Sequence, residues 1–182
     1  MKVMKFGGTS VGKPERMHHI VKLVTKEAEN EPAIVVLSAL SGTTNALVEI
    51  GDLIAKGDRN GAKQAIDKLE AHYQAFIKEL VKKEEAVAKA KAIIAEHFEF
   101  LNIILKISFS EALSKDILAQ GELLSTKLFC AYLEEQGISH LLLPALEFMT
   151  IDSYDEPQIG SIKVKLTQIL QQHKDKKLFV TQ

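Results

Sequence analysis

Five consecutive apolar residues, Ala33-Ile34-Val35-Val36-Leu37, run from Pro32 to Ser38, and three of them are β-branched. No polar residue alternates with them, so the run has no solvent face and reads as a strand buried on both sides. Strands of that kind belong to parallel sheets covered by helices. The flanking sequence supplies both. Lys2 to Phe6 is a second short, apolar-biased segment, halted by Gly7-Gly8, and also reads as a strand. Between the two, Pro14 suits the first position of a helix, where its missing N–H is not needed. Met17, Ile20, Val21, Val24 and Ala28 then recur at helical spacing. A hydroxyl-rich loop at 38–43 leads into another helix with Leu47, Ile50 and Ile54 on one face. Strand–helix–strand–helix predicts an α/β architecture with a mainly parallel sheet.

Residues 62–107 change character. Ala62, Ala65, Ile66, Leu69, Tyr73, Phe76, Ile77 and Leu80 form one apolar stripe, and Val87, Ala90, Ile94, Leu101 and Leu105 form another. Two long helices separated near 82–85 predict an antiparallel hairpin, a helical excursion from the sheet. The charges around that break (Lys78, Glu79, Lys82, Lys83, Glu84, Glu85) read as a solvated face. Next come a helix at 111–118, a turn at Ala119-Gln120-Gly121, and a helix at 122–135 ended by Gly137. A short strand at 140–143, a helix marked by Ile159, Ile162, Leu166, Ile169 and Leu170, and a strand at Leu178-Phe179-Val180-Thr181 complete the chain.

Bulk composition narrows the function. The 182 residues are 46% hydrophobic and 26% charged, as in a globular domain, and 23 basic residues nearly balance 24 acidic ones. That balance gives no bulk electrostatic reason for a nucleic-acid or membrane-surface partner. The single cysteine, Cys130, lies in an apolar run and reads as a small buried hydrophobe rather than a reactive thiol. No signal peptide or membrane-length apolar stretch is present, which predicts a cytoplasmic setting. His18 and His19 are adjacent and so point about 100° apart on a helix, which does not suit a shared metal.

Three segments carry chemical promise. In Lys5-Phe6-Gly7-Gly8-Thr9-Ser10-Val11-Gly12, paired glycines after a strand let backbone N–H groups approach an anion. Lys5 would add an ammonium at the carboxyl edge of the sheet, where open α/β sheets bind ligands. The plain alternative is a tight turn beside a solvated lysine. Gly7 to Lys13 also matches most of a Walker A loop, but Pro14 replaces the hydroxyl that would bind Mg²⁺. In Ser38-Ala39-Leu40-Ser41-Gly42-Thr43-Thr44-Asn45, Thr43 or Thr44 can cap the helix. The remaining polar groups exceed what a cap needs and suit a small polar ligand. In Gly121-Glu122-Leu123-Leu124-Ser125-Thr126, Glu122 would sit in a first helical turn, where the dipole alone favours it, or it would hold a ligand's ammonium group.

In order, strand context and separation, the three segments together resemble the aspartate kinases of the amino acid kinase superfamily. The resemblance implies a three-layer α/β/α sandwich and ATP-dependent phosphorylation of the side-chain carboxylate of L-aspartate. The product would be 4-phospho-L-aspartate, on the route to lysine, threonine and methionine. It implies that Lys5 contacts the ATP phosphates, that Gly7, Gly8, Thr9 and Ser10 line their pocket, and that Ser38, Thr44 and Glu122 bind aspartate. Mg²⁺ would be held mainly through the nucleotide phosphates, and the full-length protein would be a homo-oligomer. Such chemistry needs no histidine or cysteine base, because a carboxylate nucleophile is already ionised near neutral pH. A related kinase acting on glutamate or a carbamate, or a folded fragment without activity, are the alternatives.

The chain also departs from the family. An Arg-Gly-Gly-Ser-Asp segment is missing; the only arginines are Arg16, on the first helix, and Arg59, in a loop. The adenine-binding region and regulatory ACT domains are missing too, and Pro144 and Leu146 stand where the family often has Asp and Arg. The expectation is the N-terminal portion of a kinase catalytic domain, inactive alone, with an exposed apolar edge near 178–180.

Overall fold

The computed structural model describes residues 1–107 and 110–182. A four-stranded parallel sheet contains β1 (Lys2–Phe6), β2 (Ala33–Leu37), β3 (Leu141–Leu142) and β4 (Leu178–Thr181), in the order β1-β2-β4-β3. Each strand coincides with an apolar segment of the sequence. Register pairs Lys5 with Val36 and Val35 with Val180, so alternate residues divide between two faces. Helices lie on both faces, but Val3 on β1 is left exposed.

On one face lie α2 (Pro14–Asn30) and α6 (Glu111–Glu135), and beyond them α3 (Thr43–Ala55), α4 (Arg59–Leu80) and α5 (Glu84–Ile104). All five predicted positions of α2, from Met17 to Ala28, are buried. The stripes of α4 and α5 join the same apolar cluster as Val35, Leu37 and Val180, so the hairpin shares the main core. On the other face α8 (Ile159–Gln172) turns Ile162, Leu166, Ile169 and Leu170 onto Ile34 and Phe179. The short α7 (Ala145–Phe148) adds Phe148 to that layer. This is the expected three-layer α/β/α arrangement.

Three local expectations fail. First, β4 lies between β2 and β3 and all four of its residues are buried, so 178–180 is not an edge. Strand order is a tertiary property, and the chain's last strand inserts at the centre. Second, α6 is one continuous helix; Ala119-Gln120-Gly121 is not a turn. Third, Arg59 opens α4 rather than lying in a loop, because Asp58 caps the helix by accepting from the Gly61 N–H at 2.9 Å.

The hairpin is fastened at its turn. Glu135, 7% exposed, accepts from the backbone N–H groups of Lys82 at 2.5 Å and Lys83 at 2.6 Å, just before α5. A carboxylate is disfavoured at the C-terminal end of α6, so its reason for being there is those two donors. Glu135→Ala is therefore expected to lower the stability of the chain by about 2 kcal/mol, read as a urea midpoint shift. An unchanged midpoint would remove the carboxylate from the account of the hairpin.

A second tie joins α5 to α6. His97, 4% exposed, shares a hydrogen bond from Nδ1 to Gln120 Oε1 at 2.6 Å, and its Nε2 is buried without a partner. Burial lowers its pKa from the ordinary 6.5, against an opposing contribution from Gln120. The unfolded chain thus takes up the proton first. Stability is expected to be constant above pH ~6.5 and to fall below it, by at most ~1.4 kcal/mol per pH unit, until the folded imidazole also protonates. Melts of wild type and His97→Gln between neutral and mildly acid pH check this; parallel curves would contradict it.

Cys130 is buried, and desolvation pushes its thiol pKa up to about 12, so it packs as the inert hydrophobe expected.

Candidate active site

Because all four strands are parallel, the segments that follow them leave at one edge of the sheet. Lys5 stands near the end of β1, exposed, beside Val36. The stretch after it is not an irregular loop. Gly7 (φ −77°, ψ 172°) precedes a single helical turn, α1 (Gly8–Val11), and its carbonyl accepts from Ser10 N at 2.8 Å and Val11 N at 3.2 Å. Gly7 has open space around its Cα. Thr9 is exposed and Ser10 half-buried. The Arg16 guanidinium, from α2, donates to the Thr9 carbonyl and holds the turn from outside.

The second segment folds against the first, backbone to backbone. A Cβ at Gly8 would lie 2.9 Å from the Ala39 carbonyl oxygen, so only glycine permits the contact. One at Gly12 would meet the Gly8 oxygen and Ser41 Cβ, each at 2.8 Å. Gly12 is therefore explained by packing, which leaves the near-Walker spacing without a phosphate role. Phe6 O also accepts from Ser38 N at 3.1 Å.

Neither threonine caps α3. Gly42, at φ 85°, occupies the cap position, and no side chain accepts there. Thr43 instead turns inward, with Oγ1 3.1 Å from the Tyr73 hydroxyl, while Thr44 and Asn45 remain exposed. That separation of neighbours follows from the ~100° step of a helix.

The third segment completes the cluster through α6. A Cβ at Gly121 would lie 2.9 Å from Ala39 Cβ, 3.1 Å from Thr43 Cγ2 and 3.2 Å from Leu47 Cδ1. Glycine thus serves close helix approach here, which is why it does not break the helix. Glu122, next along and exposed, sits in mid-helix, so the first-turn dipole explanation for its carboxylate lapses. Ser125 Oγ donates to the Ser38 carbonyl at 2.6 Å. Gln182, after β4, donates to Thr126 Oγ1 at 3.1 Å and accepts from Ala145 N at 2.9 Å. Leu146 projects from α7, 92% exposed.

All three segments singled out in the sequence therefore converge at one edge of the sheet. Two residues were missed. Arg16 carried no signal beyond its charge. Tyr73 was read as part of an apolar stripe, yet a buried phenol needs a partner, and that need was legible. Among the described residues no three His, Cys, Asp or Glu side chains converge as metal ligands, and no helix is long and apolar enough to cross a membrane.

Comparison with known proteins follows the same lines. Residues 1–181 match the Amino acid kinase family. Aspartokinase 3, chloroplastic, of Arabidopsis thaliana is 37% identical over 160 residues, covering 84% of this chain and 27% of the relative. Bifunctional aspartokinase/homoserine dehydrogenase 2 of Escherichia coli is 30% identical over 179 residues, 97% of this chain and 22% of the relative. The crystal structure of E. coli aspartokinase III in complex with aspartate and ADP superposes with a TM-score of 0.79 at 23% identity, over all of this chain and 40% of that one. The chain spans about a quarter of the length of these two curated relatives. With the family match running over residues 1–181, the chain belongs to the amino acid kinase family.

Proposed function

We propose that the protein takes part in ATP-dependent phosphorylation of the side-chain carboxylate of L-aspartate, and that this chain supplies the phosphate cradle and part of the aspartate site. The observation that carries the reading is the pair of tight contacts, Gly8 to Ala39 and Gly121 to Ala39, that bring together the three segments bearing Lys5, Gly7-Gly8, Ser38, Thr44 and Glu122. The aspartokinase names of its relatives, and the aspartate and ADP in the E. coli aspartokinase III crystals, support the substrate pair.

The division of labour follows from charge. Both reactants are anions, so the site must bring them together and offset their repulsion. In the proposal Lys5 does this for the transferring phosphoryl group, with the backbone of Gly7, Gly8, Thr9 and Ser10 about the phosphates. The open space at Gly7 leaves room for that approach. Mg²⁺ bound through the nucleotide phosphates would supply further neutralisation; on the phosphate side the Lys5 ammonium suits the phosphates rather than the metal. Ser38 and Thr44 hydroxyls would orient the aspartate, and the Glu122 carboxylate would face its α-ammonium.

The chain is proposed to be the N-terminal portion of a catalytic domain and inactive alone, the complete product being a cytoplasmic homo-oligomer with further kinase and regulatory regions. Coverage of only 22–27% of the relatives supports this. So does the incompletely covered sheet face, where Val3 is 64% exposed. A coupled ADP-release assay on the complete gene product tests the substrate. Turnover with L-aspartate and not L-glutamate is expected; the reverse preference would sink the reading.

A further inference from the structure

We infer that the helical hairpin is part of the substrate machinery: Tyr73 on α4, together with Ser125 on α6, clamps both ends of the 38–44 segment and thereby sets the geometry of aspartate binding. This rests on the reading of Ser38 and Thr44 as aspartate contacts, and gives a role to the region whose sequence was least distinctive.

The two anchors are built alike. Ser125 is 0% exposed and donates from Oγ to the Ser38 carbonyl at 2.6 Å, across 87 residues of sequence. Tyr73 is 0% exposed and its hydroxyl lies 3.1 Å from Thr43 Oγ1, which is itself buried. Between these points the backbone passes over Gly121, where α6 leaves no room for a Cβ, and through Gly42 in the left-handed region. The segment is therefore held at its start, from beneath, and at its end.

Each anchor acts on the neighbour of a proposed ligand contact or on that contact's own backbone. Fixing the Ser38 carbonyl restrains the residue whose hydroxyl would meet aspartate. Fixing Thr43, the first residue of α3, sets the rotational phase of that helix, and Thr44 follows one step around it on the exposed side. Burial raises the Tyr73 pKa, so the phenol stays protonated and its hydrogen bond is not titrated in the working range. Tyr73 is in turn steadied by Phe98 on α5, with ring centroids 6.0 Å apart. The hairpin thus transmits its packing to the substrate side of the site and makes no comparable contact to the Gly7–Ser10 side among the described residues. Tyr73 and Ser125 are positioning residues, not catalytic ones.

The test uses Tyr73→Phe, which removes one oxygen and keeps the ring in the core. In the complete gene product the KM for L-aspartate is expected to rise about 3- to 10-fold, the loss of one neutral hydrogen bond, with the KM for ATP unchanged. Ser125→Ala, at the other end, is expected to act in the same direction. Because the effect runs through a single bond, adding Thr43→Val to Tyr73→Phe should raise that KM no further. Hydrogen exchange on the 182-residue chain gives a readout independent of turnover: the bonded amides of Thr43 and Ala46 should exchange faster in Tyr73→Phe while those of β2 do not. Unchanged aspartate KM and unchanged local exchange would overturn the inference. So would equal rises in both KM values with a general loss of protection, since that is what a merely structural residue would give. If the wild-type gene product does not turn over aspartate at all, the functional reading fails, and the exchange measurement alone then decides the clamp.

Discussion

Gly121→Val is expected to be among the most destabilising single substitutions in this chain, lowering its stability by about 3 kcal/mol or more. The first added carbon already falls at 2.9 Å from Ala39 Cβ, with Thr43 and Leu47 scarcely farther. All three neighbours are buried, at 3%, 1% and 0% exposure, and the nearest atom, Ala39 Cβ, is fixed to its backbone and cannot rotate away. Either α6 moves outward or the 38–44 segment does. Outward movement of α6 would also draw Ser125 from the Ser38 carbonyl. Gly121→Ala sets two effects of similar size against each other: alanine favours the helix by about 1 kcal/mol, and overpacking costs about 1–3 kcal/mol. Its net effect should be a modest loss. Gly51, inside α3 with nothing within 4 Å of an added Cβ, provides the control. Gly51→Ala should gain about 0.5–1 kcal/mol, because there only helix propensity changes. Urea midpoints for the three variants check the order; equal behaviour of Gly121→Val and Gly51→Ala would show that α6 does not press on the site.

Lys5→Ala is expected to reduce aspartate-dependent ADP formation by the complete gene product about 10²- to 10³-fold, the usual cost of losing one preorganised charge-stabilising group. The same change should leave folding intact, since Lys5 is exposed and on an edge strand. Lys2, three residues earlier, is the natural comparison. It stands at the other end of β1, opposite Ala33, and pairs with Glu27, so Lys2→Ala should leave turnover unchanged. Similar turnover in Lys5→Ala and wild type would remove the ammonium from the reaction.

What the sequence revealed and what it hid divide along a physical line. Strands β1, β2 and β4 and helix α2 were legible because a short apolar run or a repeated helical spacing is a local property. So was the meeting of the first two segments, which follow β1 and β2, whereas the third was tied to them only by family resemblance and joins them through Gly121 on α6. Gly121 misled, because glycine signals a breaker in isolation, whereas its reason here is the approach of Ala39 from another part of the chain. The threonine caps failed for a related reason: Gly42 takes the left-handed conformation and frees Thr43 to reach Tyr73. Residues 178–180 looked like an unprotected edge because sequence order does not encode the insertion of β4 between β2 and β3.

The most direct test of the proposed site is a titration of the ¹⁵N-labelled chain, first with ADP and Mg²⁺ and then with L-aspartate, followed by amide chemical shifts. Nucleotide should move the signals of Gly7, Gly8, Thr9 and Ser10, and aspartate those of Ser38, Thr44 and Glu122, with weak affinity in each case. Shifts confined to other surfaces, such as the groove lined by Lys22, Lys26 and Glu29 beside Tyr132, would contradict the assignment of the converging segments as the kinase site.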